Sequence, residues 1–306
     1  AGCALALWAP SFSWLLLARA VSAVGASAGS IVTQTWLRDR YSSSSLAQVY
    51  AVLGMALAVS PALGLLAGSM LVAHGGYVSV FTALAGGGCM LLIWVWVGMP
   101  ESQDPTPATA AIASVLRRMR ADRRVQLVAV LVALYNWLLF AFYQLAAFHL
   151  QQWGYGVTIF GYSSIALCAG AVAGAGLNRY LLGRGCLPQS LVDVSNPLLG
   201  LGCAAVAGLL LLQWPAFLAA MALVSMVYGL AIPNLLAQAL HGYADCRGSA
   251  GALLGAGYYI LLAALLVLSA LAQNLTLVVL AAWAGIACTQ MLLRHHPPHA
   301  PVQPLS

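Results

Sequence analysis

Long apolar runs separated by short polar connectors fill the chain between residues 14 and 293. A helix crosses a hydrocarbon core of about 30 Å with about 20 apolar residues, each adding 1.5 Å. Nine runs reach that length: 14–37, 47–73, 77–98, 125–150, 157–182, 188–213, 215–240, 249–272 and 274–293. The pattern therefore predicts an all-α, polytopic membrane protein with nine complete spans. Residues 1–9 (AGCALALWA) are apolar but too short to span, and they carry neither a basic leader nor a processing pattern. They are expected to be the end of a helix whose start precedes Ala1.

Composition agrees. Of 306 residues, 62% are apolar and 6% charged, and the mean hydropathy is +0.92, whereas a soluble domain carries about a quarter charged residues. The formal net charge of +6 rests on arginine alone, with no lysine present. Its placement is regular. Arg38 and Arg40 follow the first complete span, Arg117, Arg118, Arg120, Arg123 and Arg124 the third, Arg179 and Arg184 the fifth, Arg247 the seventh and Arg294 the ninth. The intervening connectors hold none, so eleven of twelve arginines mark one side, which the positive-inside rule makes cytoplasmic. Arginines spread over alternate loops are not the basic, aromatic-laced surface of a nucleic-acid binder. The C-terminus is expected on the cytoplasmic side of a bacterial inner membrane.

Three organisational blocks follow, with residues 1–98 forming a first helical block, 99–124 a cytoplasmic linker and 125–294 a block of six spans. Residues 295–306 are expected to be a disordered tail. The linker starts Pro-Thr-Pro and reads plainly as a positive-inside connector; the alternative for 110–120 is a short basic helix on anionic lipid. The seven cysteines are scattered without a C-x-x-C and read as small apolar residues. The tail histidines His295, His296 and His299 lack a nearby carboxylate or cysteine, so no metal is expected. Asn274-Leu-Thr276 is a sequon in a short outer loop, too close to the membrane to be a good acceptor.

Gly25-Ala-Ser27-Ala-Gly29 spells the G-x-S-x-G elbow of α/β-hydrolases, but that elbow needs a strand before the serine, and residues 14–37 are one helical run. No enzyme is expected. Gly25 and Gly29 instead make a G-x-x-x-G pair, continuing a ridge of small residues with Ala18, Ser22 and Ala26 that lets another helix come close. Similar stripes recur at Gly54, Pro61, Gly64 and Gly68, at Gly170 and Gly174, and at Gly251 and Gly255. Mid-span proline adds a pivot where neighbours satisfy the freed carbonyl. Close packing with pivots suits a rocking transporter, and also a static bundle.

The ordered motifs resemble the major facilitator superfamily, and within it the drug:proton antiporters of the bicyclomycin and chloramphenicol resistance (Bcr/CflA) type. Arg19-x-x-Ser22-Ala23-x-Gly25 resembles the R-x-x-Q-G-x-G motif of that family's fourth helix, and Trp36-Leu-Arg-Asp39 the arginine-aspartate after it. Gly54 to Gly68 with Ser60-Pro61 resembles the antiporter motif G-x-x-x-G-P-x-x-G of the fifth helix, and Met99-Pro-Glu101 the close of the sixth. Phe160-Gly-Tyr162 and Leu177-Asn-Arg179 resemble the ends of the eighth helix. Ile232-Pro-Asn234 and Gly248 to Gly255 resemble the tenth and eleventh. The resemblance implies twelve helices in two halves, of which the first two and most of the third are not in this sequence. It also implies a proton gradient as energy source, no cofactor, and a coupling carboxylate in the first helix. The chain departs from the motifs at Ser22, Ala23 and Ser60, and Ala146-Ala-Phe148 stands where that branch often has serine-proline-phenylalanine.

The candidate substrate-cavity residues are Arg19, Asn136, Phe140, Tyr143, Gln144 and Tyr258. An arginine on a membrane helix is a functional hypothesis by default. Arg19 lies only five residues from Trp14, roughly 7 Å along the helix, so snorkelling to the interface is its alternative. Asn136, Phe140, Tyr143 and Gln144 share a face at i, i+4, i+7 and i+8, offering stacking surface and neutral hydrogen bonds to amphiphilic compounds, with plain aromatic packing as the alternative. Tyr258 is preferred to Tyr259, which falls on the Gly251/Gly255 stripe. Gly25, Gly29, Gly54, Pro61, Gly64, Gly68, Gly251 and Gly255 are the gating and packing candidates. Asn234 and Gln238 are expected to bond each other or a neighbouring helix, and Asp193 to serve a cap or loop. The expected function is proton-coupled efflux of a small amphiphilic molecule by a monomer in lipid. A metabolite or siderophore exporter, or a non-transporting interaction protein, is the alternative.

Overall fold

The computed structural model describes residues 1–40, 43–98, 112–239, 241–243 and 246–295, and their regular structure is helical throughout, without a strand. The chain divides into two compact units, Ala1–Thr106 and Pro107–Ser306. The division falls inside the expected 99–124 linker, so the linker's second part belongs to the second unit.

In the first unit α1 (Gly2–Leu7) precedes α2 (Phe12–Arg40) and α3 (Ser43–Gly98). At 1.5 Å per residue, the 56 residues of α3 would reach about 84 Å, nearly three times a hydrocarbon core. The helix does not run straight. It breaks at Gly75 and Gly76, and Gly76 takes φ 63° and ψ −160°, a conformation open essentially to glycine alone. The Ser79 hydroxyl donates to the Leu71 carbonyl at 2.6 Å, eight residues back, where a continuous helix would hold them about 12 Å apart. Eight described helices are long and apolar enough to cross a membrane, and α3, broken in two, contains the expected 47–73 and 77–98 spans.

In the second unit the order is α4 (Ile112–Ala121), α5 (Arg123–Gln152), α6 (Val157–Gly183), α7 (Pro188–Leu211), α8 (Phe217–Ala239), a 3-10 turn (His241–Tyr243), α9 (Arg247–Ala272) and α10 (Leu275–Arg294). Helix α5 touches α4, α6, α8, α9 and α10, and packs most extensively against α10 and α9. Its residues Leu131 to Leu139 are buried without interruption, as expected of a helix apolar on every side. Polar side chains tie it to its neighbours: the Tyr135 hydroxyl lies 3.0 Å from that of Ser195 on α7, and Trp137 Nε1 donates to Ser269 on α9 at 2.6 Å. Helices α6 and α8 cross closest. A Cβ added at Gly170 or Gly174 would overlap the carbonyl oxygen of Ala222 or Met226, and one at Gly229 would lie 2.7 Å from the Ala171 oxygen. Small residues let the two backbones meet there.

Two ends are closed by side chains. Asp122 caps α5 by accepting from the backbone of Arg124 and Val125, and Asn274 caps α10 by accepting from Leu277. Asn274, the sequon residue, thus has a structural task. Asp193, the sixth residue of α7, forms an ion pair with Arg294 at 3.0 Å, so it links α7 to the end of α10 and does not serve the cap or loop expected of it.

Candidate functional site

The α5 face expected from sequence is built around Asn136. This residue lies about 20 Å from the Arg123 end of a helix about 45 Å long, close to mid-span. Asn136 is buried, and its amide is engaged within the unit: Nδ2 donates to the Val132 carbonyl at 2.7 Å, and Oδ1 accepts from the Tyr228 hydroxyl of α8 at 3.1 Å. One turn on, Phe140 is 42% exposed, and its ring meets Tyr143 edge-on at 6.0 Å. Tyr143 is half-buried and also packs edge-on against Phe142. Gln144 turns toward α9, where Nε2 donates to the Leu266 carbonyl at 3.4 Å.

Helix α9 brings Tyr258 and Tyr259 to the same depth, their rings 4.5 Å apart, with Tyr258 half-buried and Tyr259 exposed. The middles of α5, α8 and α9 thus hold Tyr143, Tyr228, Tyr258 and Tyr259, of which Tyr228 bonds Asn136, with Phe140 and Tyr259 exposed. The arrangement offers aromatic faces and hydroxyls without a fixed charge, suited to stacking on an apolar or cationic ring.

Tyr228 is an addition that the sequence alone did not single out, and Tyr259, which the sequence assigned to the Gly251/Gly255 stripe, is the more exposed of the α9 pair. The available signal was depth, because tyrosines of spanning helices collect at the interfaces and Tyr228 sits in mid-span. Arg19 belongs to the first unit. It is exposed on α2, one position beyond the buried Ala18.

The gating and packing candidates divide. The α2 ridge is in use at its Ala18–Ser22 end, where a Cβ on Gly2 of α1 would overlap the Ser22 hydroxyl. At Gly25, Gly29, Gly64, Gly68 and Gly255 an added Cβ would meet nothing within 4 Å among the described residues. Pro61 is exposed within α3, and Gly251 is half-buried on α9. Gly54 lies where the helical backbone alone is described. Asn234 and Gln238 bond to neighbouring helices and not to each other: Asn234 Nδ2 donates to Asn178 Oδ1 of α6 at 2.7 Å, and Gln238 Oε1 accepts from Arg124 of α5 at 2.9 Å.

At the arginine-rich end, α4 docks on the unit. Val115 and Met119 are buried, Arg118 donates to the Gly242 carbonyl, and its guanidinium lies 4.5 Å from the Tyr243 ring centroid. The Tyr243 hydroxyl donates to Asp122 at 3.2 Å. Burial, and next the Asp122 carboxylate, push the Tyr243 hydroxyl up to about 12, so it stays protonated and donating across the physiological range. This second part of the expected linker is a fixed piece of the fold.

Residues 1–266 match the sequence profile described as Major Facilitator Superfamily. An uncharacterized transporter of Rickettsia bellii is 29% identical over 278 residues, covering 85% of this chain and 68% of the relative. A second uncharacterized transporter, from Rickettsia felis, is 28% identical over 280 residues with the same coverages. With its apolar helices, its mid-span aromatic group and a family match over most of its length, the chain belongs to the Major Facilitator Superfamily and is a multi-pass membrane transporter.

Proposed function

We propose that the protein exports small amphiphilic compounds, cationic ones included, in exchange for protons, by alternating access between its two helical units in a bacterial inner membrane. The observation that carries this reading is the uncharged aromatic group on α5, α8 and α9, where Phe140 and Tyr259 face outward beside Tyr143, Tyr228 and Tyr258. The order of motifs shared with the bicyclomycin and chloramphenicol resistance type supports the antiporter assignment. In this reading Asn136 and Tyr228 position the aromatic faces, and Phe140, Tyr143 and Tyr258, with Tyr259 stacked beside it, touch the substrate. The alternation of arginine-bearing connectors supports a cytoplasmic C-terminus. The transporter works as a monomer and needs no cofactor beyond the proton gradient.

The test is a growth-inhibition panel of aromatic and cationic drugs, run on cells with and without the full-length protein. Protection against at least one compound, abolished by a protonophore, is expected. Tyr143→Ala and Phe140→Ala should each weaken protection, since loss of an aromatic contact worth about 0.5–1.5 kcal/mol lowers affinity by up to about tenfold. No shift for any compound overturns the multidrug reading and leaves export of a metabolite or siderophore as the function to assay.

A further inference from the structure

We propose that Arg117, Arg120 and Arg123 form a binding site for the phosphate headgroups of anionic lipid in the leaflet on the arginine-rich side. The sequence around them holds five arginines, and two have tasks inside the protein. Arg118 is spent on Gly242 and Tyr243, and Arg124 is buried against Gln238. Asp122 caps α5 and receives the Tyr243 hydroxyl. The remaining three arginines are exposed, and none has an acidic partner among the described residues.

Their direction is fixed by packing. At 100° per residue, Arg117 and Arg120 lie about 60° apart on the α4 surface, and Val115 and Met119 lie on the side buried against the unit. Rotating α4 to turn its arginines inward would expose both apolar side chains and break the Arg118 clamp. The apolar stripe of the helix is therefore taken by protein and not by lipid, which overturns the simple picture of an amphipathic helix lying apolar face down. Depth is fixed as well. A single residue, Asp122, separates α4 from α5, so Arg123 is the first residue of the span and Arg117 and Arg120 lie within six residues of it. Ile112 is 65% exposed and continues the apolar side past the protein, a position suited to acyl chains beside headgroups. Three uncompensated cations at that depth complement the phosphates of an anionic leaflet.

The proposal rests on the membrane-transporter assignment but not on the drug-export reading. The full-length chain is reconstituted in phosphatidylcholine bilayers containing spin-labelled phosphatidylglycerol or spin-labelled phosphatidylcholine, and the fraction of each label immobilised by the protein is measured. Phosphatidylglycerol should be preferred, with the preference falling by up to about fivefold for each of Arg117→Gln, Arg120→Gln and Arg123→Gln. Arg294→Gln, already paired with Asp193, should change it little. Raising salt from 0.1 to 1 M shortens the screening length from about 10 to 3 Å and should erase the preference in the unaltered protein, a readout independent of variant folding. An equal preference in the triple variant, or one insensitive to salt, overturns the proposal. Displacement of the labelled lipid by millimolar inorganic phosphate would identify a soluble anion as the ligand and overturn the lipid assignment.

Discussion

Gly25/Gly29 on α2 and Gly170/Gly174 on α6 have the same spacing, and both lie in spans rich in small residues, yet the fold treats them differently. At Gly170 and Gly174 the backbone of α8 fills the space a Cβ would need, while Gly25 and Gly29 have no atom there among the described residues. The letters on one helix permit a close approach, and the partner decides whether it happens. Helix α8 presents Ala222 to Gly170, and answers with Gly229 against the Ala171 carbonyl, so smallness is reciprocal along that crossing. Where lipid supplies no hydrophobic drive between helices, such packing and its hydrogen bonds must hold the pair together. On α2 the reciprocal glycine is Gly2, and it meets the ridge at Ala18 and Ser22, one turn short of Gly25.

The most severe way to probe the difference is to put the same bulk at both sites. Gly174→Leu must push the Met226 backbone away, and overpacking of this kind costs about 1–3 kcal/mol, more where backbone and not a flexible side chain has to move. Gly29→Leu should lie within about 0.5 kcal/mol. Both are read as shifts in the midpoint of detergent-driven unfolding. Equal shifts would mean that Gly29 meets a close partner, and the contrast between the two pairs would fail.

Much of this fold is legible in the order of the amino acids. Span ends are set by a fixed bilayer thickness, so the break at Gly75–Gly76 falls between the expected 47–73 and 77–98 runs. The face of α5 is also legible, because i, i+4, i+7 spacing needs no tertiary information. The partners are not. Asn136 meets Tyr228 across 92 positions, and Asn234 chooses Asn178, 56 positions away, over Gln238 one turn along its own helix. Those choices depend on which helices cross, and at what height, which no local pattern records. The docking of α4 is hidden for a related reason. Its arginines dominate the letters, while the two buried residues that hold it, Val115 and Met119, look ordinary.

Hydrogen bonds at the α6–α8 crossing sharpen the comparison, because they separate close packing from polar attachment. Asn178 lies one turn beyond Gly174, and its bond to Asn234 is buried on both sides. Asn234→Leu leaves Asn178 without this partner and adds a branched side chain. The loss should fall near the membrane average of about 0.6 kcal/mol and below about 1.7. The paired change Asn178→Leu with Asn234→Leu should recover part of it, since no amide is then stranded. A loss larger than that of Gly174→Leu would make the asparagine pair, and not the glycines, the reason these helices meet.

The smallest effect at this crossing is expected at Ser225, its other polar contact. Its hydroxyl donates to the Leu167 carbonyl at 2.7 Å from a buried position. Serine to alanine removes the donor without adding bulk, and the Leu167 carbonyl lies within α6, where the Ala171 amide can still donate to it. No buried group is therefore left wholly unsatisfied, and the expected cost of Ser225→Ala is about 0.5 kcal/mol or less, measured by the same unfolding midpoint. A cost near that of Gly174→Leu would mean that a donor from α8, and not the absence of side chains on α6, brings the two backbones together. In that case the open Gly25/Gly29 pair would differ from Gly170/Gly174 by lacking a serine opposite it, and installing one would be the next variant to make.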